Sequence, residues 1–310
     1  MTAKRIKSFG IIFKYNHSPA REAAEYFKEY LSAEGIDVFM EEMRPYSFED
    51  SGYMSQQEDK DIYKNIDAAM VLGGDGTLLG AARIFGKCGI PILGINLGGL
   101  GFLTPIPLEK INDAVKLLIE DRLEIESRLM LEVSIVRTSN GANNKKEMLT
   151  AFNDVVIKKG SFARIIDLEV IVDEEQLATL KADGLIIATP TGSTAYNLSA
   201  GGPILYPTMN GIVMTPICPF TITNRPVILP EDSVIKVAQI RESQEEFFLT
   251  IDGQIGLSVK WNDSIIINKS DKKLYLYKSP YQSYFSLLRK RLMWSGNVLG
   301  AKTTVPNQNN

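Results

Sequence analysis

The sequence predicts two joined folds: an α/β N-terminal domain built on a parallel sheet, then an all-β sandwich, with a C-terminal helix packing back on the first domain. Three observations carry this. From Arg5 to about Leu123, strand-like apolar runs alternate with helix-like amphipathic runs, the texture of a parallel sheet with helices on both faces. After about Glu124 the segments become β-branched and often alternating, with turn residues between them, as in a sandwich. Near the C-terminus, "SYFSLLRKRLMW" returns to helical spacing. The expected boundaries are 1–125 for the α/β domain, joined by 280–310, and 126–279 for the sandwich. A chain of 310 residues is long for one core and comfortable for two.

In order, "IKSFGIIF" reads as a buried first strand. "SPAREAAEYFKEYLSAEG" reads as a helix: Ser18 can cap it, Pro19 suits its first position and Gly35 its stop. Ala20, Ala23, Ala24, Phe27 and Leu31 form its apolar stripe. "IDVFM" is a second strand. The polar stretch "EEMRPYSFEDSGYMSQQEDKD" is expected to be a loop or mobile flap. "DAAMVL" is a third strand, and a helix runs from Gly76 to Gly86. "GIPILGIN" is a fourth strand and "PLEKINDAVKLLIEDR" a further helix. The sandwich strands follow from "RLMLEVSIVRT" to "DSIIINK", with Ser139 to Lys146 expected as a hairpin tip. In the last helix Tyr284, Leu287, Leu288, Leu292 and Trp294 fall near one face.

Composition narrows the function classes. Apolar residues make up 45% and charged residues 23% of the chain, an ordinary globular balance. The net charge of -3 supplies no general basic field, so no nucleic-acid partner is expected. No apolar run approaches the ~18–20 residues of a membrane helix, so no membrane partner is expected either. The basic and apolar N-terminus lacks a small-residue cleavage site and reads as a strand, not a leader. Cys88 and Cys218 lie far apart, both in apolar stretches, and form no disulfide framework; a reducing, cytoplasmic location fits. The single histidine, His17, argues against zinc sites and Ser-His-Asp chemistry and suits a loop or helix start.

The chemistry concentrates in glycine-rich segments. "GGDGT", Gly73 to Thr77, follows a strand and opens a helix, where backbone N–H groups favour phosphate. It matches neither common nucleotide signature. A G-x-G-x-x-G fingerprint would need glycine where Leu79 stands, and the P-loop Gly-Lys-Ser/Thr is missing. Instead Asp75 sits inside the phosphate cradle, where it would repel phosphate unless a metal ion or a hydroxyl intervened. That points to phosphoryl transfer to a hydroxyl, with Asp75 as base or Mg²⁺ contact; a strand–helix turn with a solvated acid is the plainer alternative. "NLGGLGFLTP", with Gly98 and Gly99, follows the next strand and can lie beside the first loop. "KADGLIIATPTGSTAYNLSAGGPI" crowds Thr189, Thr191, Ser193, Thr194, Tyr196, Asn197 and Ser199 among glycines, offering many donors to a nucleotide; a polar interdomain loop is the alternative. Asn153 and Asp154 open a strand, with Arg164 a hairpin away, and suit either ribose hydroxyls or a local turn. "IDGQ", Ile251 to Gln254, reads as a turn between strands.

These segments, in this order, resemble the NAD kinase family, which phosphorylates NAD to NADP. The resemblance rests on "GGDGT" at 73–77, "ND" at 153–154 and "TPTGSTAYNLSAGGP" at 189–203, supported by "NLGGLGFLT" and "NRPVILP". It covers Ile6 to Tyr277. The loop alone is less specific, since lipid kinases and phosphofructokinases carry similar ones. The family implies an α/β domain and a β-sandwich with NAD between them, and Mg²⁺ with ATP, or another phosphate donor such as polyphosphate. Asp75 would then be the general base on the adenosine ribose 2′-hydroxyl, with Gly76 against the nucleotide and Asn153 and Asp154 hydrogen-bonded to it. Arg164, Lys181 and Asp183 would contact NAD from a neighbouring subunit of a dimer or tetramer. Thr194, Ala195, Tyr196, Asn197, Leu198 and Ser199 would line the cleft, and Gln254 would contact NAD. Gly73, Gly74, Thr77, Gly98 and Gly99 would form the phosphate loops. Two departures stand out: Asp154 where many members have Glu, and Arg164 where some have His. A lipid kinase and a non-catalytic NAD(H)-responsive protein remain as rivals.

Overall fold

The computed structural model describes residues 6–44, 63, 65–99, 101–139, 142–160, 165–221, 223–240 and 247–294. Of the expected flap at 41–61, residues 45–61 lie outside these residues, as does Arg164, and its first three residues, Glu41 to Met43, are strand instead, because they continue the pairing of Asp37–Met43 with Ser8–Lys14. The first strand, β1 (Ser8–Lys14), is followed by α1 (Ser18–Ala33) and β2 (Asp37–Met43). His17 rather than Ser18 caps α1: its Nδ1 accepts the Ala20 N–H at 3.2 Å. Gly35, at φ 77°, ends that helix in the left-handed geometry that glycine tolerates. Then come β3 (Ala68–Gly73), α2 (Asp75–Cys88), β4 (Ile92–Asn96), the short β5 (Ile106–Pro107) and α3 (Ile111–Ile119). The continuous apolar runs of β3 and β4 are buried along their whole length, as a parallel strand covered on both faces requires.

Next follow β6 (Ile125–Arg128), β7 (Leu131–Ser139), β8 (Ala142–Ala151), β9 (Asp154–Lys159), β10 (Ile166–Val172), β11 (Glu175–Ala182) and β12 (Gly184–Ala188). After the short α4 (Tyr196–Ser199) run β13 (Gly211–Ile217), β14 (Val227–Pro230), β15 (Ile235–Gln239), β16 (Phe247–Ile251), β17 (Ile255–Val259), β18 (Ser264–Lys269), β19 (Leu274–Tyr277) and α5 (Tyr284–Arg291). Strands β7 and β8 run up to 139 and back from 142, so the expected tip at 139–146 is mostly ladder.

The first sheet has the order β2-β1-β3-β4-β19-β6, with β5 beside β4. It is parallel except for the β19–β6 pair. The chain's return to this sheet therefore starts at Leu274, earlier than 280. The reason is geometric: β4 has an open edge, and Leu276 pairs with Ile92 there. Two antiparallel sheets, β11-β10-β15-β18-β7-β8 and β14-β13-β12-β9-β16-β17, share one core. Val133, Ile135 and Ile265 of one meet Val155, Ile157 and Leu249 of the other, so the sandwich forms as expected. The opposite face of β9 and β12 is covered by Leu205 and Ala200 from the glycine-rich segment, which presses that segment onto the sheet. Helix α5 buries Leu287 and Leu288, whereas Trp294 is exposed. Its Tyr284 packs on Phe102 and Tyr206, and Arg291 stacks over Phe102. Cys88 and Cys218 are free and, contrary to their apolar sequence settings, exposed. Among the described residues no helix is long and apolar enough to cross a membrane.

Candidate functional site

The buried strand β3 delivers Gly73 and Gly74 at its carboxyl end, and α2 begins at Asp75. The glycines there differ in what they make possible. A Cβ on Gly73 would collide with the Thr77 side chain, so that glycine lets the helix turn tightly. Among the described residues, Cβ atoms on Gly74, Gly98 and Gly99 would meet nothing within 4 Å, and one on Gly76 only Gln254 at 3.9 Å. Four of the glycines therefore border open space.

Asp75 does not stand free in that space. Its Oδ2 accepts the Phe102 N–H at 2.9 Å. Its Oδ1 accepts the N–H groups of Leu103 (3.0 Å) and Thr104 (3.2 Å) and the Thr104 hydroxyl (3.2 Å). The second glycine-rich loop thus wraps the carboxylate, as its sequence position after β4 suggested. Asn96 braces the wrap by donating to Thr104 Oγ1 and accepting the Gly98 N–H. Gly101 makes it possible, because a Cβ there would overlap the carboxylate.

The second half of the site is built on the sandwich. Asp154 opens β9 with Asn153 in the bend just before it, and the Thr189–Pro203 segment leaves β12 beside them. Thr189 joins the two: its N–H donates to the Asn153 carbonyl (2.9 Å) and its hydroxyl to the Phe152 carbonyl (2.7 Å). A Cβ on Gly192 would run into the Asn153 backbone. Burial drives the Asp154 carboxyl up to about 7, with the nearby charge of Asp252 adding to the rise. The Asn153 Oδ1 is buried and has no hydrogen-bond partner among the described residues, a cost that a bound donor would relieve.

The hydroxyl-rich segment differs from its expected use. Most of its polar groups build the loop itself. Ser193 Oγ donates to the Pro190 carbonyl and accepts the Leu205 N–H, and Thr194 donates to Thr191 O. Thr191 accepts from Arg128. Asn197 is fully buried; its amide donates to Ser193 O and Pro203 O, and its Oδ1 accepts from Thr215. A buried hydroxyl or amide must be satisfied internally, so a chain this tightly folded uses them up. Tyr196 and Ser199 stay exposed, and Thr194, Ala195 and Leu198 are half-buried. Tyr196 lines a cavity of about 530 Å³ together with Asp183, Lys158, Lys159 and Phe248. Asp183 is ion-paired with Lys159 at 2.6 Å. Lys181 lies outside that lining, its Nζ 3.9 Å from Asp167.

Two residues of the site escape sequence reasoning. Arg83, on α2, is 1% exposed. Asp252 sits in the "IDGQ" turn with φ 52°. Arg83 Nη1 lies 3.3 Å from Asp252 Oδ2, and Arg83 also donates to Gln254 Oε1. Asp252 accepts the N–H groups of Phe152, Asn153 and Asp154, and Gln254 Nε2 donates to the Gly76 carbonyl at 2.9 Å. Burial raises the Asp252 carboxyl, while Arg83 and those N–H groups oppose it. Every one of these groups is a donor, so the anion is the form they are built to hold. One signal was visible: an arginine inside the otherwise apolar "LLGAARIFG".

A family model of the ATP-NAD kinase N-terminal domain matches residues 9–123, and one of the ATP-NAD kinase C-terminal domain matches 152–279. An NAD kinase of Solibacter usitatus is 43% identical over 289 residues, covering 93% of this chain and 98% of that protein. One of Geotalea daltonii is 42% identical over the same length, covering 93% and 99%. A yeast NADH kinase solved with NADH superposes with a TM-score of 0.79 at 27% identity, over 98% of this chain and 91% of that one. An Archaeoglobus fulgidus NAD kinase solved with ATP shares the fold, with a TM-score of 0.69 at 24% identity, over 92% and 98%.

Proposed function

The chain belongs to the ATP-NAD kinase family, and on that premise we propose which of its groups carry out the reaction. It is a phosphotransferase that makes NADP from NAD with ATP; the lipid-kinase alternative ends with family membership. The acceptor is the 2′-hydroxyl of the adenosine ribose, and Asp75 is its general base. The observation that carries this reading is the uneven load on the carboxylate. Oδ1 takes three donors and Oδ2 only one, so Oδ2 keeps the capacity to accept a hydroxyl proton. The hydroxyl oxygen bonds to the γ-phosphorus, the bond from that phosphorus to the β-phosphate oxygen breaks, ADP leaves, and the proton passes to Oδ2. The open space at Gly74, Gly98 and Gly99 admits phosphates against backbone N–H groups at the start of α2.

Asn153 and Asp154 hold the nucleotide from the sandwich side, Asn153 through its unpartnered Oδ1. Gln254 and Gly76 border it, and Thr194, Ala195, Tyr196, Leu198 and Ser199 line the cleft. Asn197 contributes through the loop shape it enforces. Among the described residues no group of three or more His, Cys, Asp or Glu is arranged for a metal. Mg²⁺ would then be held chiefly by the substrate phosphates, where it would neutralise their charge, and Asp75, whose oxygens are taken by the loop donors and the hydroxyl proton, is left to its role as base. Lys181, Asp183 and Arg164 are assigned to a neighbouring subunit's NAD in a homo-oligomer, a reading supported by the exposure of Lys181. Free Cys88 and Cys218 fit a reducing cytoplasm.

The test is Asp75→Asn assayed with NAD, ATP and Mg²⁺. It should keep NAD binding by calorimetry and lose about 10²–10⁴-fold in turnover. Wild-type turnover would remove the base assignment.

A further inference from the structure

Between Gly76 and Asn153 runs an unbroken chain of polar contacts. The Gly76 carbonyl accepts from Gln254 Nε2 at 2.9 Å, and Gln254 Oε1 accepts from Arg83. Arg83 pairs with Asp252 at 3.3 Å. Asp252 Oδ1 accepts the N–H groups of Phe152 (3.0 Å), Asn153 (2.6 Å) and Asp154 (3.2 Å). The Arg83 and Asp252 side chains are 2% and 0% exposed. Such a pair is a poor device for mere adhesion, because desolvating two charges cancels most of their attraction and an apolar pair would bind as well. What it adds is direction. The guanidinium is a rigid fork with fixed donor angles, and here one prong meets the turn that carries Asp252 and the other meets Gln254. An apolar contact between α2 and the sandwich could slide; this one cannot slide without stranding a buried charge.

We propose that Arg83 and Asp252 are positioning residues for the transfer. They set the Asn153–Asp154 turn, which holds the dinucleotide, at a fixed offset from the Asp75 turn, which takes the proton. The inference rests on the NAD kinase reading above. Neither residue touches the reacting atoms; both act through Asn153, Asp154 and Gly76.

The experiment uses the full chain and three variants. Arg83→Met strands the Asp252 charge and should fold poorly. Arg83→Met combined with Asp252→Asn removes both charges, and the retained amide oxygen still accepts the turn's N–H groups. The double variant should recover the melting temperature lost by the single one and keep the NAD dissociation constant within about threefold. Its kcat should nevertheless stay at least about tenfold below wild type, since a misplacement of about 1 Å can cost ~10²-fold. Arg83→Lys keeps the charge and the fold but offers a single ammonium, which can serve Asp252 or Gln254 but not hold both in register. It should retain NAD affinity and lie between the double variant and wild type in kcat. Wild-type kcat in the double variant or in Arg83→Lys, or losses of kcat that simply track melting temperature across all three, would overturn the proposal. A wild-type chain that makes no NADP from NAD and ATP would overturn the underlying NAD kinase reading instead.

Discussion

Gly101→Ala tests whether the second glycine loop exists to hold Asp75. A Cβ at Gly101 would stand 2.6 Å from the Asp75 Cγ and 2.7 Å from Thr104 Oγ1. Carbon atoms in ordinary contact sit about 3.5–4.0 Å apart, so the carboxylate or the loop must yield by about 1 Å. Asp75 holds its place through four hydrogen bonds of 2.9–3.2 Å, three from backbone N–H groups and one from a hydroxyl. A shift of that size breaks or badly weakens at least one or two of them. Hydrogen bonds to charged groups contribute about 1.5–3 kcal/mol each, which puts the cost at roughly 2–6 kcal/mol. A base displaced by about 1 Å also loses about 10²-fold in rate. NADP formation under saturating NAD and ATP should therefore fall by about 10²-fold or more, and the melting temperature should drop by several degrees. Gly98→Ala and Gly99→Ala serve as controls, because their Cβ atoms meet nothing within 4 Å among the described residues. They should leave the melting temperature unchanged and raise KM if substrate fills that space. A Gly101→Ala enzyme with wild-type kcat and melting temperature would refute the reasoning.

Two further outcomes follow from the same geometry. Asp154 has its carboxyl raised from 3.8 to about 7, so between those values the folded chain binds a proton that the unfolded chain has lost. The stability this contributes is full below about pH 4 and is lost as the pH rises through about 7. At 1.36 kcal/mol per unit the effect is at most roughly 4 kcal/mol. Asp154→Asn should therefore gain stability relative to wild type between about pH 4 and pH 8, and parallel unfolding profiles across that window would contradict it. Tyr196→Ala removes an exposed ring from the cleft; stacking on a base is worth about 1–3 kcal/mol. NAD KM should rise about tenfold with little change in melting temperature, and an unchanged KM would take Tyr196 out of the site.

Much of the molecule was legible residue by residue. The buried runs of β3 and β4, the helix signals of α1 and the alternating strands of the sandwich all depend on local spacing, which the chain carries wherever it goes. The motifs were legible for the same reason: glycines and an acid after a strand dictate a turn that can face phosphate. The Thr189–Pro203 segment was legible in place but not in use, because a hydroxyl's role depends on whether folding buries it. Ser193 and Asn197 were buried and committed inward, and of the segment's hydroxyl-bearing side chains only those of Tyr196 and Ser199 remained exposed. The return of β19 to the first sheet was hidden too, since a short apolar strand does not say which open edge it will join.

The sequence by itself determined that a carboxylate lies among glycines at the end of a parallel strand, beside a second glycine loop and far from a hydroxyl-rich one. Only the tertiary structure decided what holds those pieces in register. Arg83 and Asp252 are 169 residues apart, and nothing in the spacing around either one names the other. Their pairing exists because the packing of α2 against the sandwich excludes water from both, and a charge deprived of water must find its partner across the fold.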